Sequence, residues 1–239
     1  MPYVHQTEIA VNPAQADDWT ARARNQLSVM ARQAGLMSMR LYRDLQRPER
    51  FLTIAVWHGP QDRLRALEAR EVGLVLGTDG HESGAAASVR EFELIDFVWG
   101  RRGARAFLSL PGGFAQHLYT HVPAAKREAW EPYRRNFGSV MARQNGITSY
   151  EMMQDRADPE VVLVLRNYES NAYGSVIKGA SSDYRPNREV QYATRPALEL
   201  NVYEGARPVE YSDCALLDGV VGPRGIELYQ ELMEKLEPV

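Results

Sequence analysis

The stretch SVMARQAG at residues 28–35 decides the fold, because it returns nearly unchanged as SVMARQNG at residues 139–146. The offset is 111 residues, and a gap-free superposition at this offset gives 17 identities over positions 5 to 58. Unrelated sequence of ordinary composition would give roughly three. Two copies of one structural unit are the simplest explanation of this agreement.

The composition is that of an ordinary soluble globular protein, with 44% hydrophobic and 25% charged residues in 239. No apolar run approaches the ~18 residues that span a bilayer, and a net charge of -3 gives no reason to expect a nucleic-acid partner. A single cysteine, Cys214, excludes an internal disulfide framework. Together with an N-terminus that lacks a signal-peptide pattern, it predicts a cytoplasmic location.

The first repeat begins with a β-rich segment, residues 3–11, that runs into Asn12-Pro13-Ala14-Gln15. Asparagine is a good N-cap and proline suits the first helical position, so a helix is predicted to start here. Gly35 is placed to end that helix in a left-handed turn. Spacings of four and three predict that one side of the helix is apolar, through Trp19, Ala23, Leu27, Met30 and Ala34.

The complete element order predicted for this repeat is strand, helix, strand, strand, helix, strand, the split βαβ arrangement of ferredoxin-like domains. The later elements are predicted at residues 36–44, 51–57, 60–76 and 88–98. Repeat two is predicted to follow the same order at residues 114–122, 124–145, 147–155, 161–168, a weak helix at 170–179 and a strand at 197–204. We therefore predict domains at 1–99 and 114–205, a connector at 100–113, and a tail at 206–239. Within this tail, residues 211–221 are predicted to be irregular, and a helix to begin at Gly222-Pro223.

Three local patterns resemble the dimeric α+β barrel superfamily and, within it, domains of the antibiotic-biosynthesis-monooxygenase type. They are Asn-Pro-Ala after the first strand, Gly35-Leu36-Met37-Ser38 between helix and hairpin, and an aromatic residue at the end of the third strand. That residue is Trp57 in repeat one and Tyr168 in repeat two. The resemblance implies an α+β fold in which two tandem ferredoxin-like repeats form an intrachain dimeric α+β barrel, followed by a C-terminal helix.

The candidate catalytic residues lie on the first strand of repeat two, where His117, Tyr119 and His121 alternate and therefore share one face. Repeat one has Gln6, Glu8 and Ala10 in this row. A polar row in a sheet covered on both sides suggests a cavity in place of a packed core. The two histidines are about 13 Å apart along a strand, too far to share one metal ion.

The candidate substrate-binding residues are aromatic or cationic: Trp57, Tyr42, Tyr150, Arg166 and Tyr168. The resemblance implies a binding role for Trp57 and Tyr168. Arg166 beside Tyr168, and Tyr150 or Glu151 on the neighbouring hairpin strand, are expected to complete a pocket around the polar row. Such side chains can stabilise a phenolate or enolate and enclose an aromatic ring.

Family members include cofactor-independent oxygenases of polyketide aromatics, haem-degrading enzymes and small proteins with no known reaction. The resemblance therefore implies a cofactor-independent monooxygenase of secondary metabolism that acts on a small hydrophobic or aromatic molecule. Two alternatives remain open. One is a haem protein of the chlorite-dismutase-like type, with a histidine as ligand, and the other is a non-catalytic small-molecule-binding or stress protein. Homodimerisation through the C-terminal helix is a further expectation.

Overall fold

The computed structural model of the protein describes residues 2–68, 73–76, 86–100, 113–143, 146–170 and 207–227. These residues form two compact units, Met1–Glu93 with Leu216–Val239, and Leu94–Ala215. We refer to them as unit one and unit two. The elements in chain order are β1 (Tyr3–Ala10), α1 (Ala16–Met30), β2 (Leu36–Asp44), β3 (Arg50–Trp57), α2 (Pro60–Leu67), α3 (Gly73–Leu76), β4 (Ala86–Trp99), β5 (Phe114–His121), α4 (Ala124–Ala142), β6 (Ile147–Asp155), β7 (Val161–Tyr168) and β8 (Arg207–Val221).

The predicted helix boundaries are confirmed where the repeat is strongest. The side chain of Asn12 accepts a hydrogen bond from the backbone N–H of Ala14, and a short 3-10 turn over Pro13–Gln15 leads into α1. Gly35 and Gly146 have φ angles of 78° and 80°. Both copies of the repeated stretch therefore end in the left-handed turn that only glycine adopts without strain.

The sheet of unit one has the strand order of a ferredoxin-like domain. β1 lies between β3 and β4 and is antiparallel to both, while β2 pairs with the other edge of β3. The last part of β8, from Leu216 to Val221, lies beside β2, and the N–H of Gly222 donates to the carbonyl of Met37. The order within this unit is therefore β4-β1-β3-β2-β8.

The sheet of unit two is built in the same way. β5 lies between β7 and the first part of β8, and β6 pairs with the other edge of β7. The last part of β4 lies beside β6, and the N–H of Gly100 donates to the carbonyl of Thr148. Because β4 and β8 each contribute to both units, the strands follow one closed order, β1-β3-β2-β8-β5-β7-β6-β4. This is the predicted α+β barrel class.

The prediction that residues 211–221 are irregular is wrong, because they belong to the 15-residue strand β8. Tyr3 of β1 pairs with Glu93 of β4, and the corresponding residue of repeat two, Phe114, pairs with Ala215 of β8. Phe114 lies 111 residues after Tyr3, whereas Ala215 lies 122 residues after Glu93. The fourth strand of repeat two thus lies 11 residues later than a gap-free repeat predicts. The compact units accordingly differ from the predicted repeats 1–99 and 114–205. The predicted helix at 170–179 and strand at 197–204 lie outside the described residues.

Each unit has its own core between sheet and helices. Trp19 on α1 and Trp130 on α4 are buried, as the apolar sides of their helices predict. In unit one, Tyr3, Phe51 and Trp57 pack in the same core as α1. We call the face of each sheet that carries such residues its helix-facing side, and the other face its opposite side. No described helix is long and apolar enough to cross a membrane.

Candidate functional site

Three predicted substrate-binding residues meet on the helix-facing side of the unit two sheet. Tyr150 on β6 and Gln116 on β5 are the direct cross-strand neighbours of Arg166 on β7. Directly opposed residues of antiparallel strands share a face, and Tyr168 follows two positions after Arg166, so it joins them. The antiparallel register therefore brings Tyr150, Arg166 and Tyr168 together, as predicted. We call these three residues with Phe137 the Arg166 cluster.

Helix α4 covers the Arg166 cluster with an aromatic ring and a second cation. The ring centroid of Phe137 lies 5.6 Å from Arg166 Cζ and 6.3 Å from the Tyr150 ring. Arg134 on the same helix places its Cζ 5.4 Å from the centroid of Phe137 and 5.4 Å from that of Trp130. Both guanidinium groups are within cation–π distance of one ring. Their shared positive charge favours an anionic ligand.

The ring of Tyr150 reaches this position because α4 has a glycine next to it. A Cβ added at Gly138 would lie 2.6 Å from Tyr150 Cδ1, closer than real contacts allow. Repeat one has Leu27 at the corresponding position of α1 and Met39 in place of Tyr150. A glycine inside a helix weakens that helix, so its presence here has a packing reason.

Tyr150 also provides a hydrogen-bonding group with no protein partner. The residue is fully buried, and its hydroxyl makes no hydrogen bond. Nε of Arg166 is likewise buried without a partner, although the side chain as a whole keeps partial exposure. Leaving a buried polar group unsatisfied costs on the order of 1 to 3 kcal/mol. A bound ligand that accepts a hydrogen bond is one way to satisfy such a group.

The charge states at the cluster are fixed near neutral pH. Burial opposes the charge of Arg166, but electrostatic interactions with Tyr168, Tyr150 and Tyr211 raise its pKa above the ordinary value. Burial is also the largest effect on Tyr211, whose pKa is raised well above the ordinary range. Arg166 is therefore a guanidinium cation, and the neighbouring Tyr211 is a neutral phenol.

Two other tyrosines near Arg166 are held by protein acceptors. The hydroxyl of Tyr168 donates to Gln116 Oε1 at 2.9 Å, and the hydroxyl of Tyr211 donates to Asp213 Oδ1 at 2.6 Å. Sequence reasoning did not single out Gln116, Tyr211 or Asp213. Gln116 was detectable as a polar residue that alternates with Phe114 and Leu118, whereas the other two lie in the strand that was not predicted.

The predicted catalytic residues face away from this cluster. His117 and Tyr119 are buried on the opposite side of the sheet, where their cross-strand neighbours on β7 are Leu165 and Leu163. The expectation that the polar row and Arg166 line one pocket is therefore wrong. The physical reason is the register, which aligns Arg166 with Gln116 and not with His117.

His121 lies at the far end of the same row. Its Nε2 is 3.1 Å from Glu160 Oε2, and the other carboxylate oxygen of Glu160 accepts the backbone N–H of Ala124 at 2.7 Å. Its partner on β7 is Val161, which is five positions and about 16 Å along the strand from Arg166. The contacts of His121 thus belong to the start of α4.

The remaining predicted binding residues, Trp57 and Tyr42, belong to unit one and lie on different faces. Trp57 is buried on the helix-facing side as the cross-strand neighbour of Tyr3, while Tyr42 pairs with Leu52 and is buried on the opposite side. They therefore do not form one site with each other.

A second polar group lies on the helix-facing side of unit one. Arg63 on α2 places Nη2 3.0 Å from His5 Nε2 on β1, and its Nη1 donates to Glu91 Oε1 at 3.3 Å. His5 is fully buried. Burial, with a smaller contribution from the charge of Arg63, lowers the pKa of His5 to about 3. His5 is therefore a neutral imidazole at physiological pH. Its equivalent in repeat two is Gln116.

The described residues do not fit a histidine-ligated haem beside the Arg166 cluster. No described residue of β5, β6, β7, β8 or α4 places a histidine on the helix-facing side of unit two, because both histidines of β5 lie in the opposite row. Among the described residues, no group of three His, Cys, Asp or Glu side chains is arranged to hold a metal ion either. We therefore derive no chemistry through haem.

The strand order, with a helix packed on the sheet of each unit, is the fold of dimeric α+β barrel proteins. Residues 2–69 match the family described as antibiotic biosynthesis monooxygenase, which confirms the resemblance in repeat one. A comparison with curated proteins found no match.

Solved structures share the fold over nearly the whole chain. A candidate monooxygenase from Fusobacterium nucleatum subsp. nucleatum has a TM-score of 0.71 at 8% identity, covering 92% of this chain and 94% of that one. Another from Lactobacillus acidophilus has a TM-score of 0.70 at 8% identity, with 92% and 96% covered. An anthrone oxidase-like protein has a TM-score of 0.57 at 11% identity, with 93% and 94% covered. At these identities the likeness establishes the fold alone. With the family match, it is consistent with a monooxygenase-like or small-molecule-binding role.

Proposed function

We propose that the protein is a cofactor-independent enzyme of the monooxygenase type that binds an aromatic substrate as its phenolate or enolate. The substrate occupies the Arg166 cluster in unit two. The observation that carries the proposal is the guanidinium of Arg166 beside the buried hydroxyl of Tyr150, which makes no hydrogen bond. A cation and an unpaired donor on one face match an oxyanion flanked by apolar rings.

The chemistry suits a substrate that can itself reduce oxygen. Ionisation of a phenol or enol makes the ring system electron-rich, and a nearby guanidinium stabilises the anion, so a larger fraction of bound substrate is ionised at neutral pH. The anion transfers an electron to O2 and the resulting radicals combine. When the attacked carbon is a methylene between two rings, one oxygen atom stays as the new carbonyl and the other leaves as water.

The protein groups each have a defined part in this proposal. Arg166 and Tyr150 contact the substrate oxygen, and Arg134 adds positive charge through the shared ring of Phe137. Phe137 packs against the substrate rings and limits the access of water, which strengthens the electrostatic interaction. His117, Tyr119 and His121 remain predictions, and the proposal assigns them no contact with the substrate.

Oxygen consumption with anthrone as the substrate tests the proposal. Arg166→Met replaces the cation by an apolar chain of similar length, and the exposed Arg156→Met in the same unit is the matched control. We expect Arg166→Met to lower kcat/KM by about 100-fold or more, the scale of losing one oxyanion donor, while Arg156→Met has no effect. Full activity in Arg166→Met would contradict the proposed site.

Binding of a stable analogue separates catalysis from binding alone. 2-Hydroxyanthraquinone, a phenol without a reactive methylene, is titrated by fluorescence against the wild type and Arg166→Met. Arg166-dependent binding without oxygen consumption by any anthrone tested would identify a binding protein and overturn the enzymatic part of the proposal.

A further inference from the structure

Three buried polar residues join β6 to β7 on the opposite side of the unit two sheet, directly behind the Arg166 cluster. The hydroxyl of Ser149 donates to Glu151 Oε1 at 2.8 Å. The side-chain amide of Asn167 donates to the same carboxyl oxygen at 3.1 Å and to Ser149 Oγ at 2.8 Å. All three residues are buried. We call Ser149, Glu151 and Asn167 the buried triad.

The buried triad alternates along both strands with the residues of the proposed site. On β7, Asn167 lies between Arg166 and Tyr168. On β6, the other two members of the triad lie on either side of Tyr150. Successive side chains of a strand point to opposite faces of the sheet. The backbone segments that hold the triad therefore also set the direction of the site residues.

The triad lies where the pairing of β6 with β7 is irregular. The register shifts by one residue immediately before Ser149, where Thr148 is the extra residue of a β-bulge. A shift of one residue moves side chains to the other face of a sheet, so an extension of this irregularity would turn Tyr150 away from Arg166. The hydrogen bonds of the triad hold Ser149 opposite its partner on β7 and thus oppose such a shift.

Unit one has the same bulge but not the triad. Its register shifts by one residue immediately before Ser38, the residue that corresponds to Ser149. The carboxyl and amide members of the triad are replaced by Arg40 and Val56, and Ala55 occupies the position of the site guanidinium. The triad thus accompanies the cationic site and not the bulge alone.

We propose that the buried triad is a positioning device that keeps Arg166 and Tyr150 together on the helix-facing side of unit two. Its members are positioning residues, because they act through the backbone of β6 and β7 and do not contact the substrate. A displacement of about 1 Å at a reacting group can lower the rate by about 100-fold. The effect on catalysis rests on the proposed function, whereas the positioning itself is measurable without a substrate.

The first measurement observes Arg166 by NMR in the full chain without ligand. Its Nε–H resonance, assigned by its loss in Arg166→Met, responds to the ring of Phe137, whose centroid lies 5.6 Å from Cζ. Glu151→Met and Asn167→Leu remove hydrogen bonds of the triad, and each is expected to shift this resonance. Glu151→Gln keeps an acceptor oxygen and is expected to leave the resonance near its wild-type position.

The second measurement is oxygen consumption with anthrone. Glu151→Met and Asn167→Leu are expected to lower kcat/KM by about 10- to 100-fold, and Glu151→Gln is expected to retain most of the activity. Met153→Ala is the matched control. Met153 is buried two positions after Glu151 on the same face of β6, so this variant removes packing but no hydrogen bond of the triad. It is expected to change neither the Arg166 resonance nor kcat/KM.

Several outcomes would overturn the inference. They are an Arg166 resonance unchanged in both Glu151→Met and Asn167→Leu, an equal shift in Met153→Ala, or a Glu151→Gln variant as impaired as Glu151→Met. A shifted resonance with unchanged kcat/KM would also overturn it when Arg166→Met is inactive.

Failure of the proposed function gives a different result. If Arg166→Met keeps full activity, the proposed function is wrong, and the resonance of Arg166 alone decides whether the triad positions it. If Glu151→Met does not fold, Ser149→Ala takes its place. This variant leaves the 3.1 Å bond between Asn167 and Glu151, so it is expected to shift the resonance less than Asn167→Leu does. An Arg166 resonance unchanged in both would overturn the inference.

Discussion

Gly138 and Tyr150 are in such close contact that a single added carbon at Gly138 would lie 2.6 Å from the Tyr150 ring. The absence of a side chain on α4 is therefore what admits a tyrosine to the helix-facing side of β6. Neither residue is kept from repeat one, which has Leu27 and Met39 at the two positions. Where unit one has two aliphatic side chains, unit two therefore has a glycine and the phenol ring of Tyr150.

Gly138→Ala should therefore destabilise the protein, although alanine is the better helix former by about 1 kcal/mol. We expect overpacking against Tyr150 to lower the free energy of unfolding by about 1 to 3 kcal/mol. Urea denaturation checks this, with the exposed neighbour Ser139→Ala as the control that should be neutral or slightly stabilising. A Gly138→Ala variant more stable than the wild type would show that the contact relaxes freely.

Tyr150→Phe should separate stability from binding. It removes a buried hydroxyl that has no partner, so we expect the free energy of unfolding to stay unchanged or to rise by about 1 kcal/mol. Affinity for a phenolate ligand should fall about 10-fold. Tyr168→Phe is the matched control, because it leaves the acceptor of Gln116 unpaired and should cost about 1 to 2 kcal/mol. If both variants lost the same amount of stability, the hydroxyl of Tyr150 would have a hydrogen-bond partner in the folded protein.

Trp19→Ala and Trp130→Ala should each cost about 3 to 5 kcal/mol of folding free energy, because each ring is buried between its helix and its sheet. In unit one the ring of Trp19 lies 4.5 Å from that of Phe51. Calorimetric melting of the two variants is the measurement. An unchanged Tm in either variant would mean that the ring does not hold its helix on the sheet.

His5 should make stability depend on pH. Its pKa is about 3 in the folded protein and about 6.5 when unfolded, so between these values the unfolded chain binds a proton that the folded state excludes. Stability from this residue is therefore lost as pH falls below 6.5, by up to about 1.4 kcal/mol per pH unit. Urea denaturation measures the free energy of unfolding at pH 7 and at pH 5. The decrease between the two pH values should be about 2 kcal/mol smaller in His5→Gln than in the wild type. Parallel losses would contradict the lowered pKa.

The fold was largely predictable because its signals are local and occur twice. Asn12 caps its helix and Gly35 and Gly146 end theirs, and each of these features depends on a few neighbouring residues. β8 was missed for a related reason. Its residues do not alternate between apolar and polar, and its identity as a strand comes from pairing with β5, more than 80 residues earlier.

The site was predictable in residue type but not in arrangement. Arg166, Tyr150 and Tyr168 were chosen correctly as neighbours, since a hairpin register follows from its turn. The polar row of His117 was joined to them wrongly, because nothing local specifies which residue of β5 faces Arg166. Gly138 was the overlooked signal. A glycine inside a helix, where the other repeat has leucine, marks the place where a large side chain approaches.

The sharing of β8 between the units affects the order in which the protein can be completed on the ribosome. Unit one comprises Met1–Glu93 and Leu216–Val239, so the strand segment beside β2 is made after Leu94–Ala215 of unit two. At translation rates of about 5 to 20 residues per second, roughly 6 to 25 seconds separate Glu93 from Val221. During that interval the nascent chain exposes an unpaired edge at β2. The strand that completes the sheet of unit one is thus synthesised after all the strands of unit two, and until then the edge of β2 is open to pairing with other chains.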